Sequence, residues 1–462
     1  MFFDASILFV AVNARYSHAS FAIRTLKANL GPLADSAAFL ETDLDITPIQ
    51  LAEQIVRHHP KVVAFSIYLW NRRVIEATAH ILRHAHPHIR LLAGGPELTP
   101  NDPACARFDA VVFGEGEAAV RALCEHALNH APAPDWPHGT IHVMPIEDLV
   151  LPYHLYTETD LAQRTVYVES SRGCPYGCGY CTSAHTGLRL IPLTTLLPAL
   201  NDLWSRGVRE FKFLDRSFNA PVAHAAALLD FFLERVTPET CLHFEINPDH
   251  LHPEIARRLA AFPPRTLHLE VGLQTLNRSV ASAIGRSPDL ETTLEHVRFL
   301  LTRTSAIVHV DLIFGLPGED LASFAAGFNR LQTLGHAPEV QVNWLKGLPG
   351  TRFVAEAHEL GLTFNPEPPY ELLSSDVLDF DALTGLQRFA RCWELVHNRG
   401  QFPQHAERLA ASAKGDLFSL YTALAEFIDQ QEGRLYAISK ARLDTYLKAF
   451  LFTLEPRAVE GA

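Results

Sequence analysis

Three cysteines within eight positions are the part of the sequence best suited to chemistry. Cys174, Cys178 and Cys181 are spaced C-x-x-x-C-x-x-C in the stretch SSRGCPYGCGYC, residues 170–181. The glycines between them let the backbone of a loop approach a bound group closely. Thiolates are ligands of soft metal centres, and three of them can hold three irons of a [4Fe-4S] cluster. The fourth iron would stay free for a substrate or cosubstrate, so the spacing predicts an iron–sulfur enzyme site.

Two other interpretations of this loop stay open. His185 lies four positions past Cys181 and would complete a set of four zinc ligands. A disulfide with one spare thiol is the other interpretation. It is disfavoured because seven cysteines without a secretory signal indicate a reducing compartment. The remaining four cysteines are scattered, and we expect small core residues at Cys105, Cys124, Cys241 and Cys392.

Composition limits the class of protein. The chain has 462 residues and is 48% hydrophobic, which allows two or three domains with sizeable cores. Its net charge of −13 argues against a large nucleic-acid-binding surface, without excluding a local basic patch. No apolar run reaches the length of a membrane span, and the first residues lack a basic leader and a cleavage site. We therefore expect a cytoplasmic protein without a membrane partner.

The first part of the chain alternates apolar strand patterns with helical stretches. This alternation predicts a doubly wound parallel sheet over residues 1–135, and ligands bind such sheets beyond the carboxyl ends of the strands. Neither glycine cluster there forms a dinucleotide fingerprint, because Ala119 occupies the place of the third glycine. Small or polar residues end the predicted strands: Asn13, Ser66, Gly94 with Gly95, and Gly114 with Gly116.

Six further strand patterns, separated by helices, fill residues 165–350. Six β/α units predict a partial barrel rather than a closed eight-fold one. A proline-containing linker is expected over 136–164, and amphipathic helices predict a C-terminal α-helical domain over 365–462. The predicted fold class is therefore α/β with a helical addition.

The cysteine motif, which ends in Tyr180-Cys181, closely resembles the signature of radical S-adenosylmethionine (SAM) enzymes. Four segments of the first domain resemble the cobalamin-binding domain that precedes the core in one group of these enzymes. The segments are NARYSHASFAIRTLKANL (13–30), FSIYLWN (65–71), LLAGGPE (91–97) and VVFGEGEAA (111–119). The whole chain resembles an uncharacterised subgroup that carries an extra helical C-terminal domain.

The resemblance implies a SAM site beside the cluster. In the family, SAM chelates the fourth iron through its amino and carboxylate groups, and the aromatic residue before the last cysteine lies near adenine. The fourth and fifth of the six predicted strands in residues 165–350 are similar to the corresponding strands of oxygen-independent coproporphyrinogen oxidases and methylthiotransferases. By that similarity Gln274 and the segment 311–318 lie around SAM, Gly315 leaves room for adenine, and Arg286 is a candidate for the SAM carboxylate. The implied SAM residues are Tyr180, Asp215, Glu245, Gln274, Arg286 and Gly315.

Each of these residues also has a structural interpretation. Glu245 and Glu270 lie inside strands, where an ionised group is costly unless paired. They could form internal ion pairs with Arg216 or Arg286, and Asp215 could cap a turn.

The resemblance also implies a cobalamin site at the strand ends of the first domain, formed by Asn13, Ser66, Gly94, Gly95, Gly114 and Gly116. The D-x-H-x-x-G motif, whose histidine binds cobalt from below, is absent. His18 is the nearest candidate, but its neighbours do not fit that motif. We expect His18 to be a capping or polar surface residue, and we expect any cobalamin to lack a histidine below cobalt.

These features together predict a radical SAM enzyme with a [4Fe-4S] cluster, SAM and cobalamin as cofactors. A reductant such as flavodoxin or ferredoxin would supply an electron for SAM cleavage, and the expected reaction is methyl transfer to an unactivated carbon. One alternative is a cobalamin-free radical oxidation or rearrangement. A second is a cobalamin or redox sensor, which the SAM-like strand ends from Gln274 to Gly318 disfavour because a sensor does not need a SAM pocket.

Overall fold

The computed structural model describes residues 5–128, 143–287, 289–335 and 338–454. The chain divides into two compact units. The first comprises Met1–Gly173, Gly187–Asp215 and Glu239–Leu242, and the second comprises Cys174–Thr186, Arg216–Pro238 and His243–Ala462. The end of the expected first domain and the start of the expected linker, residues 129–142, lie outside the described residues. The four domain boundaries therefore stay a prediction.

A five-stranded parallel sheet forms the core of the N-terminal region, with strand order β2-β1-β3-β4-β5. All seven residues of β1 are buried, as expected of a parallel strand covered on both faces. Its side chains alternate between two apolar clusters, Leu8 with Val10 in one and Ile7 with Phe9 in the other. The strands are β1 (Ile7–Asn13), β2 (Ala37–Asp43), β3 (Val62–Ser66), β4 (Arg90–Gly94) and β5 (Ala110–Val112).

The helices of this region follow the strands in alternation. Thr47 begins the second helix with a capping box, in which its side chain and that of Gln50 bind each other's backbone N–H groups. The sequence pattern predicts a first helix over residues 18–30, but the helix begins at Phe21, and residues 17–19 precede it without helical structure. The helices are α1 (Phe21–Ala28), α2 (Pro48–Val56), α3 (Arg72–Ala85) and α4 (Glu117–Ala127).

A six-stranded sheet follows, in which each strand lies beside the next one along the chain. Its order is open-ended, β13-β12-β11-β10-β9-β6, which confirms the predicted partial barrel. A short antiparallel hairpin, β7 (Ser171–Arg172) and β8 (Arg189–Leu190), brackets the cysteine loop. The sheet strands are β6 (Val166–Val168), β9 (Glu210–Phe213), β10 (Cys241–Ile246), β11 (Leu267–Gln274), β12 (Ile307–Phe314) and β13 (Glu339–Trp344).

Burial alternates strictly along the central strands of this sheet. Leu269 and Val271 of β11 are fully buried, whereas His268, Glu270 and Gln274 on the other face are partly exposed. The sheet therefore has one apolar face and one polar face, and the polar face carries the groups that can do chemistry. The helices of this region are α5 (Glu158–Gln163), α6 (Leu193–Ser205), α7 (Val222–Leu233), α8 (Pro253–Leu259), α9 (Arg278–Ala283), α10 (Leu290–Arg303), α11 (Leu321–Leu331) and α12 (Arg352–Ala355).

The C-terminal region is mainly helical, as predicted. The amphipathic pattern of residues 406–431 predicts one helix there, but the structure has two. Lys414 and Gly415 have positive φ, and Asp416 caps a new N-terminus by accepting from Ser419 N–H. Within the described residues, no helix has the length and apolar character that a membrane crossing requires. The elements are the small hairpin β14 (Thr363–Phe364) and β15 (Leu372–Ser374), then α13 (Phe380–Trp393), a π-helical turn (Glu394–Asn398), α14 (Pro403–Ser412), α15 (Leu417–Glu432) and α16 (Lys440–Leu454).

Candidate active site

The cysteine loop is packed tightly inside the second unit. Gly179 donates its N–H to Ile284 O and accepts a hydrogen bond from Phe353 N–H. A Cβ atom on Gly179 would overlap the Phe353 ring, and one on Gly177 would overlap the His185 ring. The glycines of the motif are therefore required by close packing of the loop itself, whatever the loop binds.

The three cysteines are free thiols on this one loop. Cys174 is buried, with its Sγ 3.9 Å from Ser217 Oγ, and Cys181 Sγ accepts from Ser183 N–H at 3.4 Å. This thiol donor set fits an iron–sulfur cluster. In the described part of the chain, no three His, Cys, Asp or Glu side chains are gathered closely enough to hold a single metal ion. His185, the alternative zinc ligand, has its ring over Gly177.

Tyr180 lies beside the cluster ligands. Its hydroxyl hydrogen-bonds the thiol of Cys178, and its ring meets that of Phe353 edge-on at a centroid distance of 6.3 Å. Burial, followed by the neighbouring Cys178, raises the pKa of the Tyr180 phenol well above its usual value. A neutral phenol is therefore available on the cysteine loop, and contact between Tyr180 and adenine stays a prediction.

Gln274 has two unusual features at the end of β11. It is a non-glycine residue with φ of +72°, placed at a break in the β11–β12 register. Its side-chain Oε1 is buried, and no described residue donates a hydrogen bond to it. Strained backbone and unmet hydrogen-bonding capacity cluster at ligand sites. Gln274 therefore fits the SAM site for which it was predicted.

Acidic residues lie together on the polar face of the same sheet. Asp311 Oδ1 is buried without a partner among the described residues. Burial, and then the negative charges of Glu270 and Glu245, raise the pKa of Asp311 to about 7. A ligand that carries a positive charge and hydroxyl donors, as SAM does, complements such a face.

Of the two glutamates on this face, Glu245 has one of the arginine partners that the structural interpretation named, and Glu270 lies beside a histidine instead. Glu245 lies 3.8 Å from Arg216 Nη1. Glu270 Oε1 lies 2.9 Å from His243 Nε2, in a close contact that lacks the alignment of a hydrogen bond. The contact between Glu245 and SAM stays a prediction. The ion pair between Glu245 and Arg216, at 3.8 Å, does not prevent Glu245 from contacting SAM as well.

Arg286 is already engaged by protein groups. It binds Asp249 at 2.7 Å and Asn247 Oδ1 at 3.0 Å, and it donates to Gly272 O at 2.8 Å. The guanidinium thus fastens the turn after β10 to β11 and has its charge balanced by Asp249. Its predicted role at the SAM carboxylate is weakened by this pairing, and it stays untested.

Asp215 and Gly315 also have structural roles. Asp215 is 1% exposed and accepts hydrogen bonds from Ser170 N–H and from the hydroxyls of Ser170 and Ser171. Gly315 has φ of +88°, and a Cβ atom there would lie 2.7 Å from Leu372 Cδ2. Both residues are thus explained by the protein alone, and their contact with SAM stays a prediction.

The strand ends of the first sheet share one edge. Asn13 ends β1, Ser66 ends β3 and Gly94 ends β4, and these strands are neighbours. The order β2-β1-β3-β4-β5 places the topological switch point between β1 and β3, where doubly wound sheets bind cofactors. The sheet therefore supplies the kind of edge at which cobalamin was predicted.

The predicted cobalamin residues themselves are well satisfied by the protein. Asn13 Nδ2 donates to His18 O at 2.8 Å, and Ser66 O accepts from Asn71 Nδ2 at 3.0 Å. A Cβ atom on Gly95, whose φ is +117°, would overlap the backbone of Ile67.

The remaining glycines of this edge are also in close contact. A Cβ atom on Gly94 would lie 3.2 Å from Val112 O, and one on Gly116 would lie 2.9 Å from Leu26 Cδ2. Gly114 has φ of +77°. These glycines serve the packing of the sheet, and a direct cofactor contact stays a prediction.

An aromatic pair at this edge was not singled out from the sequence. Tyr68 and Trp70 stack with ring centroids 4.6 Å apart, and Trp70 is 46% exposed while its Nε1 donates to Val12 O. Both follow β3 directly, at the switch point. An exposed, anchored aromatic surface fits a large flat ligand. The segment FSIYLWN contained both residues, but only the structure shows that their rings stack.

His18 does not have the capping or polar surface role expected of it: Ser20 is the N-cap of α1, and the half-buried His18 ring contacts another side chain. Its Nδ1 is in hydrogen-bond contact with the hydroxyl of Tyr167, and the two rings stack with centroids 6.1 Å apart. Burial, followed by the charges of Lys212 and Arg15, lowers the pKa of His18. The ring is committed to Tyr167 in the first unit.

Three family models match consecutive parts of the chain. Residues 7–124 match the B12 binding domain, residues 168–329 match the radical SAM superfamily, and residues 358–461 match a protein family of unknown function, DUF4080. The first two matches support the predicted cobalamin, SAM and [4Fe-4S] cluster. They also favour the iron–sulfur interpretation of the cysteine loop over zinc.

Two curated methyltransferases are similar in sequence to much of this chain. The chain is 28% identical over 321 residues to the 2-(S-pantetheinyl)-carbapenam-3-carboxylate methyltransferase of Streptantibioticus cattleyicolor, covering 61% of this chain and 46% of that protein. It is 25% identical over 367 residues to the cobalamin-dependent radical SAM methyltransferase TokK of Streptomyces tokunonensis, covering 71% of this chain and 53% of TokK. The chain thus spans about half the length of these relatives.

A solved structure has the same fold. OxsB, a cobalamin-dependent SAM radical enzyme solved with aqua-cobalamin and SAM bound, superimposes with a TM-score of 0.64 at 13% identity, covering 97% of this chain and 79% of OxsB. The chain therefore combines a B12-binding domain, a radical SAM domain and a C-terminal domain of unknown function, and it is a homologue of the cobalamin-dependent radical SAM methyltransferases.

Proposed function

We propose that this protein is a cobalamin-dependent radical SAM methyltransferase that methylates an unactivated carbon. The observation that carries the proposal is the presence in one chain of a cysteine loop matching the radical SAM family and a parallel sheet matching the B12-binding domain. When bound, the cluster and SAM supply a 5′-deoxyadenosyl radical that removes a hydrogen atom from the substrate, and cobalamin supplies the methyl group.

The residues of the second unit have distinct tasks in this proposal. Cys174, Cys178 and Cys181 hold the cluster on a loop that is fixed by close packing at Gly179. Gln274 and Asp311 offer buried acceptors that orient SAM, because each has an oxygen that no described residue satisfies. The protein thus supplies orientation and an environment with little water, rather than the chemistry itself.

The first unit supplies the edge for cobalamin. The strand ends at Asn13, Ser66 and Gly94 form a continuous border, and the stacked Tyr68 and Trp70 provide apolar area beside it. We propose that cobalamin lies against this border without a histidine below cobalt, since His18 is committed to Tyr167.

Radical SAM chemistry needs a reductant, and we propose a flavodoxin or ferredoxin in the cytoplasm. Support comes from the seven cysteines, all of which are described and free. The net charge of −13 argues against a large nucleic-acid-binding surface, without excluding a local basic patch.

Turnover of SAM tests the proposal. The full chain would be reconstituted anaerobically with iron, sulfide and hydroxocobalamin, then incubated with SAM and reduced flavodoxin. We expect 5′-deoxyadenosine and S-adenosylhomocysteine, because a methylating enzyme uses SAM both as radical source and as methyl donor. Formation of 5′-deoxyadenosine alone, unchanged by cobalamin, would instead support the cobalamin-free radical enzyme.

A further inference from the structure

A buried arginine lies two residues before the first cluster cysteine. The side chain of Arg172 is 11% exposed, and each of its three nitrogens contacts a different carboxylate. Nε lies 2.9 Å from Glu169 Oε2, Nη1 lies 3.0 Å from Glu115 Oε2, and Nη2 lies 2.6 Å from Glu117 Oε1. Arg172 is thus held by acids from two separate parts of the chain, all within the first unit.

Two of these acids belong to the glycine turn after β5. Glu115 follows Gly114, and Glu117 follows Gly116 and begins α4. This is the turn that the resemblance places along the cobalamin. Glu117 is 5% exposed, and its second oxygen, Oε2, is buried with no partner among the described residues. The turn therefore still has one acceptor available for a donor.

The other strand of the hairpin reaches the same turn. Arg189 of β8 is the direct cross-strand partner of Arg172 in β7, and Arg189 Nη2 pairs with Glu115 Oε1. Two like charges directly opposite each other destabilise a hairpin unless an anion lies between them. Glu115 is that anion, because it accepts from both arginines. The two strands that carry the ends of the cysteine loop are therefore joined to one glycine turn.

We propose that Arg172 and Arg189 are positioning residues that hold the base of the cluster loop to the turn 114–117, so that cluster binding and cobalamin binding strengthen each other. This rests on the proposed function for the identity of the two cofactors. The physical reason is that cofactor binding at either site orders a segment to which Glu115 is bound by charge-assisted hydrogen bonds. Such coupling between sites is reciprocal and can be measured from either side.

The coupling is measured as a ratio of dissociation constants. Equilibrium dialysis of the full chain with hydroxocobalamin would be performed on cluster-loaded protein and on protein without iron. We expect the wild-type chain to bind hydroxocobalamin at least roughly fivefold more tightly when the cluster is present, the lower end of usual coupling factors. The ratio should fall at least roughly twofold in Glu115→Gln, which keeps the shape of the side chain and removes the shared charge, while the contact between Arg172 and Glu117 remains.

Further variants separate coupling from stability. Arg172→Lys keeps the positive charge but loses the three-nitrogen fork, so this variant should retain only part of the wild-type ratio of dissociation constants. Arg189→Met removes the more exposed arginine, 33% exposed, and provides a second test if Glu115→Gln does not fold. Arg24→Gln is the matched control, because Arg24 is a buried arginine of the first unit paired with Glu41 and Asp160. Its ratio should equal that of the wild type even if its melting temperature falls.

The outcomes distinguish the two proposals. A ratio that stays at the wild-type value in both Glu115→Gln and Arg189→Met would overturn the coupling. A wild-type ratio of about 1, with both cofactors bound, would overturn the coupling and leave the proposed function standing. A wild-type chain that binds the cluster but no hydroxocobalamin would overturn both.

Discussion

The two candidate cofactor edges differ in how fully the protein satisfies its own polar groups. In the second unit, Gln274 Oε1 at the end of β11 and Asp311 Oδ1 within β12 are buried without described partners. At the strand ends of the first sheet, the Asn13 side chain and the Ser66 backbone carbonyl have hydrogen-bond partners within the protein. The backbone of Ile67 occupies the space beside Gly95. A site for a small polar ligand is recognised by buried polar atoms that lack hydrogen-bond partners. A site for a large flat ligand is recognised by an exposed apolar surface of sufficient area and matching shape.

This difference explains why the two edges respond differently to sequence reasoning. Polar residues at the second edge were predicted as ligand contacts, and two of them carry the unmet capacity that such a role requires. Glycines at the first edge were predicted to leave room for a ligand, yet their positions are explained by the chain's own packing. The exposed Trp70 offers apolar area for the cobalamin that we propose at this edge.

The largest effect is expected at the cluster. Cys174→Ala, Cys178→Ala and Cys181→Ala should each abolish cluster binding and SAM cleavage, because a three-thiolate site has no spare ligand. Iron content and 5′-deoxyadenosine formation are the measurements. Cys105→Ala and the buried Cys392→Ala are the controls and should keep both. Full iron and activity in any of the three loop variants would contradict the assignment.

At the strand ends of the first sheet, a test must separate the structural role of each glycine from its predicted contact with cobalamin. Gly95→Ala should lower the free energy of unfolding by about 2 kcal/mol or more, because it forces a side chain into a left-handed conformation and against the Ile67 backbone. Gly116→Ala should cost less than about 1 kcal/mol, because it presses only on the flexible Leu26 side chain. Urea unfolding of the apo chain measures both. Equal costs would show that packing does not distinguish these two glycines.

At the second edge, Gln274→Ala should raise the SAM concentration required for half-maximal cleavage roughly 3- to 10-fold, the value of one hydrogen bond, and leave the cluster spectrum unchanged. Gln332→Ala is a matched control, because Gln332 also has buried side-chain atoms without described partners but lies at the end of α11. An unchanged SAM requirement in Gln274→Ala would show that the strand end serves structure alone.

Asp311 predicts a dependence on pH. Its pKa is raised to about 7, so the folded chain binds this proton more readily than the unfolded chain does. Its contribution to stability is therefore present below its ordinary pKa and is lost as the pH rises through about 7. SAM is positively charged and prefers the carboxylate, so SAM affinity should instead rise above pH 7.

Both trends should flatten in Asp311→Asn, as followed by urea unfolding and by SAM binding across this pH range. Glu319→Gln is the control, because burial also raises the pKa of Glu319 to about 7, while the hydroxyl of Thr275 donates to it. Glu319→Gln should change how the free energy of unfolding depends on pH and leave the pH dependence of SAM affinity unchanged. A SAM profile that persists in Asp311→Asn would place the titrating group elsewhere.

The smallest effect is expected at His18. The visible spectrum of bound cobalamin should be the same in His18→Ala as in the wild type, because the His18 ring contacts Tyr167 rather than a ligand. A spectral shift on this substitution would show that the histidine binds cobalt.

Much of the fold followed from periodicity and from breaks in it. Both sheets were predicted, because buried runs such as Ile7–Asn13 and alternating ones such as Leu267–Gln274 are distinct patterns. The division of residues 406–431 into two helices was missed. It depends on positive φ values at Lys414 and Gly415, where lysine gives no turn signal.

Candidate residues that lie close together in the sequence could be predicted as a group. A group whose members lie far apart in the sequence was missed. The cysteine motif lies within eight positions, so its function could be inferred from spacing. The cluster of Arg172, Arg189 and Glu115 joins residues up to 74 positions apart, and no pattern in the sequence indicates that pairing. The SAM and cobalamin contacts of the individual candidates depend on side-chain positions with ligand bound, and they stay predictions.

Cofactor content is the most direct test of the central claim that one chain holds both a radical SAM cluster and cobalamin. Protein purified and reconstituted anaerobically would be dialysed against hydroxocobalamin and methylcobalamin, with iron and cobalt measured alongside the ultraviolet–visible spectrum. We predict about four irons and about one cobalt per chain, with no histidine below cobalt. A chain with an intact cluster that binds neither cobalamin would contradict the account and leave a cobalamin-free radical enzyme.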